Sequence, residues 1–153
     1  MAERFAKDVR REVLRRAVEE ARAAGSRTIE AEHLLLALSD DELLAGAGLD
    51  HDALLGALDR ETERSLAAVG VELASFELPP ARRTGREPRF AASAKVALHR
   101  AVQLAQGRRD RRIGRGHLLI GILRAERGTV PRALDVAGVD RVELMARAEA
   151  TLG

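Results

Sequence analysis

The sequence predicts an all-α domain: two tandem four-helix repeats forming one pseudo-two-fold, eight-helix unit. Three observations lead there. Of the 153 residues 46% are hydrophobic, rich in Ala and Leu, while aromatic residues reach only 2% with no Trp or Tyr. That mixture suits helices and lacks the β-branched and aromatic residues an all-β sandwich wants. The second half of the chain repeats the first. Asp, Gly and Pro also punctuate the apolar stretches where helix caps and turns are needed.

The repeat is read directly. Leu14–Ala21 (LRRAVEEA) returns as Leu98–Ala105 (LHRAVQLA), and Ile29–Leu36 (IEAEHLLL) returns as Ile113–Ile120 (IGRGHLLI), both at an offset of 84. Ala47–Asp50 (AGLD) returns as Ala137–Asp140 (AGVD) at an offset of 90, which puts about six extra residues into the second copy between Glu126 and Arg132. Phe5 and Phe90 open the copies at an offset of 85, so the first copy carries one extra residue between Phe5 and Ala21. One domain over 1–153 is expected, with repeat one at about 3–74, a linker at about 75–89 and repeat two at about 90–153.

Each helix has its own warrant. Phe5, Val9, Val13, Ala17 and Ala21 recur every four residues and make the inner stripe of a long first helix, which Gly25 and Ser26 end. A second, short helix after Thr28 carries Leu34, Leu35, Leu36 and Leu38, too apolar all round for a surface position. Asp40 and Asp41 precede a brief third helix that Gly48 can close in a left-handed conformation, and Asp50 caps a fourth through Leu54, Leu55, Leu58 and Leu66. In the second copy Pro131 suits the first turn of the third helix. Asp140 with Glu143 starts the last helix. The Pro-, Gly- and Arg-rich stretch Glu77–Arg89 reads as an exposed linker.

These residues resemble a known family. A chain opening Glu3-Arg4-Phe5, with a long helix and then Ile29–Leu38 (IEAEHLLLAL), all duplicated, resembles the N-terminal domain of Clp-type protein unfoldases, most nearly the ClpC branch. In that family the motif is Ile-Gly-Thr-Glu-His-Ile-Leu-Leu-Gly-Leu; here it recurs as Ile113–Ile122 (IGRGHLLIGI). The resemblance implies a module that recruits substrates and adaptors ahead of ATPase modules, in some members by reading phosphorylated arginine and in some as a target of cyclic peptides. No Walker A loop is present, because Lys7 and Lys95, the two lysines, are followed by Asp8 and Val96 and neither follows a Gly.

The resemblance also suggests site residues. Glu32 matches the family glutamate that holds a guanidinium; read from the residues alone, it equally complements the dipole of its helix together with Glu30. Gly116 stands at the matching position of the second copy, beside Arg115, and Ala6 and Ala91 replace the family threonine after the opening Phe. Phe90 and Lys95 match positions lining a peptide groove between the repeats. Phe5 reads either as part of that groove or as core, and Arg11, or Arg10, is its basic candidate, depending on where the extra residue falls.

Other chemistries fall away. His33 and His117 have no His four residues on and no Cys, so each reads as a structural histidine bonded to a backbone carbonyl; no metal and no cofactor is expected. No nucleophile–base constellation appears, so no enzymatic activity is expected. The absence of Cys excludes a disulfide framework. No apolar run approaches a membrane span, and a cytoplasmic location follows by default. The expected function is a non-catalytic module of Clp proteolysis, binding a Clp unfoldase, its substrates or adaptors, or peptides that are phosphoarginine-bearing or cyclic. The alternatives are a nucleic-acid-associated protein using Arg108–Arg115 and the linker arginines, or the N-terminal fragment of a full-length Clp ATPase. A net charge of +2 and the lack of interleaved aromatics disfavour nucleic acid.

Overall fold

The extra residue of the first copy is absorbed as one turn of π-helix, Val9–Val13, running directly into α1 (Leu14–Ala23). A single inserted residue widens the helix locally and leaves the following turns in register. Val9, Val13, Ala17 and Ala21 all remain buried, so the apolar stripe survives the insertion. The matching helix of the second copy, α5 (Ala92–Arg108), is α-helical throughout.

The structure is a computed structural model and describes residues 4–70 and 87–153. The linker arginines Arg82, Arg83 and Arg86 lie outside the described residues. In the first copy a two-residue strand β1 (Thr28–Ile29) leads to α2 (Ala31–Ala37), α3 (Glu42–Gly46) and α4 (His51–Ala68). In the second, β2 (Arg89–Phe90) precedes α5, followed by α6 (Arg115–Leu123), α7 (Thr129–Val136) and α8 (Arg141–Thr151). The eight α-helices among the described residues, in two sets of four, are those expected. Among the described residues no helix is long and apolar enough to cross a membrane.

The expected caps form. Asp41, Asp50 and Asp140 accept hydrogen bonds from the N–H groups of Leu43, Ala53 and Glu143 at 2.9, 2.9 and 3.1 Å. Each satisfies one of the donors a helix start leaves unpaired. Gly25 ends α1 at φ +69°, and at the corresponding place after α5 stands Arg109 at φ +61°, the one non-Gly residue with positive φ among those described.

The copies are interleaved. β1 pairs in parallel with β2, Thr28 opposite Arg89 and Ile29 opposite Phe90. Phe5, which opens the first copy, pairs in turn with Ile113, just before α6 of the second. The bonds are reciprocal: Ala91 N–H donates to Ile29 C=O at 3.0 Å and Ala6 N–H to Ile113 C=O at 2.9 Å. The opening segment of each copy thus pairs with the stretch that leads into the other's second helix. Across the axis α4 packs on α7 and α3 on α8, while α2 sits among α5, α6 and α7. Ile29, Leu34, Leu35, Ile113, Leu118 and Ile120 fill the centre. Each such side chain stabilises the fold by about 1.5–3 kcal/mol relative to exposure.

Candidate ligand groove

The groove begins at the start of α2. His33 Nδ1 accepts the N–H of Glu30 at 2.9 Å, and His117 Nδ1 accepts the N–H of Gly114 at the same distance. The carbonyl partner expected for these histidines is therefore replaced by an N–H: each ring, three residues into its helix, reaches back to cover an unpaired donor. The accepting Nδ1 places the ring proton on Nε2, and in His117 that proton goes to Asp110 Oδ2 at 2.7 Å. Burial lowers the His33 pKa, with Glu30 and Glu20 opposing it, so the ring stays neutral and able to accept.

Ser93, in the first turn of α5, joins the copies. Its Oγ accepts the N–H of Ala31 at 2.8 Å and donates to Glu30 Oε2 at 2.5 Å. Glu30 also accepts from Thr28 Oγ1 at 3.2 Å. Above this junction opens a groove of about 840 Å³, walled by the starts of α2 and α5, the end of α6 and the start of α7.

Glu32 lines that groove, half-buried. Its carboxylate has no side-chain hydrogen-bond partner among the described residues, unlike Glu30. Burial raises its pKa above the ordinary range; a bond from its own backbone N–H and the charge of Arg132 pull the other way, and Glu30 and Glu61 add to the rise. Arg100, Arg124, Arg127 and Arg132 also line the groove, with Glu126 among them. Arg132 is tied to Glu61 of α4 at 2.8 Å. Sequence reasoning missed Glu61 and Arg132. In a helix as charged as α4, one carboxylate gives no sign that it is the buried one.

The other suggested residues lie elsewhere. Phe5 is core, 9% exposed, in its bridge with Ile113. Phe90 is half-buried in β2 against that core, Lys95 is exposed on α5, and Arg11 is exposed on the π turn; none of these four lines the groove.

Gly116, the second copy's counterpart of Glu32, does not line this groove. A Cβ there would lie 2.8 Å from Cδ2 of Leu152, the residue that follows α8, so that side chain covers the place and would have to turn aside. The neighbouring Arg115, expected to make this place positive, is paired with Asp40, which also binds Arg16 at 2.8 Å. Burial would raise the Asp40 carboxyl, and the bonds from Arg16 and Arg115 reverse that and hold it below its ordinary range. Arg108 is spent on Asp110 at 2.9 Å and on the carbonyls of Leu152 and Gly153 at 2.8 and 2.9 Å. The arginine run is thus partly committed to the fold, which weakens it as a nucleic-acid surface.

Comparison with known proteins agrees with the duplicated architecture. The family model described as the Clp repeat (R) N-terminal domain matches twice, over residues 5–86 and 89–153. No match is found among curated proteins. The N-terminal domain of the caseinolytic protease-associated chaperone ClpD from Arabidopsis thaliana is similar in structure, with a TM-score of 0.75 and 21% identity over 100% of both chains. The Hsp104 N-terminal domain from Candida albicans gives a TM-score of 0.67 at 17% identity, over 97% of this chain and 91% of that one. A chain from a structural study of a malarial protein secretion system gives 0.67 at 16%, over 97% and 94%. With both copies matched and the interleaved eight-helix architecture in place, the chain belongs to the Clp repeat N-terminal domain family.

Proposed function

We propose that this chain is a non-catalytic binding module of the cytoplasmic Clp proteolysis system. It recruits substrates or adaptors to a ClpC-type unfoldase, or sequesters ligands of that unfoldase's N-domain. Its anchor is Glu32, which receives an arginine guanidinium, the group carried by phosphoarginine-marked substrates. One observation carries the reading: Glu32 is a half-buried carboxylate on the groove wall with no side-chain partner of its own. Burying a carboxylate without a partner is costly, and a planar guanidinium repays that cost through two parallel charge-assisted hydrogen bonds. Phe90 and Lys95, outside this groove, form a separate contact surface for peptides, cyclic ones included. The test is calorimetric titration of wild type and Glu32→Ala with phosphoarginine. Binding should vanish in the variant while its circular dichroism and cooperative melting show a folded domain, with the cost of burying the carboxylate removed. A folded variant with undiminished affinity refutes the anchor.

A further inference from the structure

Arg132 uses one edge of its guanidinium and leaves the other unoccupied. Its Nε–H donates to Glu61 Oε1 at 2.8 Å, and its terminal nitrogens have no hydrogen-bond partner among the described residues. The Glu61 side chain is 6% exposed and that of Arg132 55%, so the carboxylate is the fixed member of the pair. Ser65 Oγ donates to the same oxygen of Glu61 at 2.6 Å. Burial by itself would raise the Glu61 carboxyl; the bonds from Ser65 and Arg132 hold it below its ordinary range, and it remains charged. A buried anion gripping Nε–H sets the plane of the guanidinium and leaves the Nη1–Nη2 edge available. That edge matches two oxygens of a phosphoryl or carboxylate group.

The surroundings agree in sign. Arg100, Arg124 and Arg127 line the same groove, and none has an ion-pair partner among the described residues. Glu30 is occupied by Thr28 and Ser93. Glu126 lines the groove too, but the four arginines outweigh it, so an approaching ligand meets a Glu32 carboxylate bonded only by its own backbone N–H and a wall of net positive charge. Such walls raise the local concentration of anions.

We infer that the groove is bipolar: Arg132, positioned by Glu61, receives an anionic group lying beside the guanidinium that Glu32 holds. The ligand class is an arginine whose own side chain, or immediate neighbour, carries a phosphoryl or carboxylate group. The inference rests on the reading of Glu32 above and adds the specificity-determining pair.

Three probes separate the two claims: N-acetyl-arginine amide, its side-chain-phosphorylated form, and N-acetyl-Arg-Asp amide, each titrated into wild type, Arg132→Gln and Glu61→Gln. Wild type should bind a doubly charged probe at least tenfold tighter than plain arginine, and the tighter of the two shows whether phosphoryl or neighbouring carboxylate is the anion. Arg132→Gln should weaken that probe by about 10- to 100-fold, the worth of a hydrogen bond to a charged group, and leave plain arginine within about twofold. Glu61→Gln should show the same selective loss, which a merely structural role would not produce. Because Glu61 is buried and its variant can fail to fold, the exposed Arg132 carries the decision. An Arg132→Gln variant that keeps the full preference overturns the inference and leaves Glu32 standing. Wild type that binds none of the probes overturns both.

Discussion

Gly121 is the position where the packing is most exacting, and Gly121→Ala tests it. A Cβ at this point of α6 would lie 2.4 Å from the carbonyl oxygen of Ala97 and 3.1 Å from the nitrogen of Ala101, both on α5. Ordinary contact begins near 3.4 Å, so the helices would have to part by about 1 Å. Both obstacles are backbone, so no side-chain rotation relieves them. Overpacking costs about 1–3 kcal/mol, and a rigid obstacle puts this case at the upper end. The better helix propensity of Ala returns about 0.8–1 kcal/mol. The net loss is then about 2 kcal/mol, a fall in Tm of roughly 4–8 °C for a domain of this size. The assay is thermal and urea unfolding followed by circular dichroism, with Gly56→Ala as control. There a Cβ meets only the mobile end of Arg60 at 3.4 Å, so stability should hold or rise by up to about 1 kcal/mol. Gly121 and Ala97 both line the groove, so spreading α5 from α6 should also weaken ligand binding. A Gly121→Ala variant that melts at or above wild type refutes the reasoning.

Arg109→Gly should raise Tm by roughly 1–3 °C, because removing a side chain held at φ +61° relieves about 1–2 kcal/mol of strain against a smaller rise in unfolded-chain entropy; an unchanged or lower melting point contradicts this. Gly116→Glu alone should leave the calorimetric stoichiometry at one ligand per chain, since Leu152 Cδ2 stands where the new side chain must begin, and a second equivalent would show that Leu152 turns aside. Glu32 holds its proton to higher pH in the folded state than in the unfolded one, so wild type loses stability as pH rises from about 4.3 through the raised folded value. Glu32→Gln should match wild type in urea midpoint at pH 3.5 and exceed it at pH 7; equal midpoints at pH 7 would contradict the burial cost.

Local rules made the helices legible. Asp41, Asp50 and Asp140 cap as their positions suggested, and Gly25, Gly48 and Gly138 take the left-handed conformations that end helices. The extra residue between Phe5 and Ala21 was visible as a change of offset, yet nothing in VRREV announces a π turn rather than a displaced helix start. The cross-pairing of Phe5 with Ile113 and of β1 with β2 escaped because the pairings span only one or two residues and the partners are far apart in the chain. His33 and His117 were recognised as structural, but the ring accepts from an N–H where a carbonyl was expected, a distinction that depends on where the helix starts. Of the suggested site residues only Glu32 lines the groove. Its neighbours Glu61 and Arg132 are chosen by the packing of α4 on α7, which no local pattern encodes.

The distribution of charge around the groove explains why one repeat would not suffice. Glu30, Glu32 and Glu61 come from the first copy, whereas Arg100, Arg124, Arg127 and Arg132 come from the second, together with Glu126. The counterparts of Glu32 and Glu61 in the second copy are Gly116 and Thr151, which carry no charge, and Leu152 closes that place. The first copy thus supplies Glu32 and Glu61, and the second supplies the arginines and the close helix crossing at Gly121 against Ala97. A single repeat would hold only half of the charge pattern. The distance between the halves is set by contacts between copies: β1 with β2, Ser93 with the start of α2, and Glu61 with Arg132. Weakening any of these should move carboxylate and guanidinium apart while α3, α4 and α8 keep their Asp caps. Ligand affinity should therefore respond to changes at the seam between copies more steeply than helix content does.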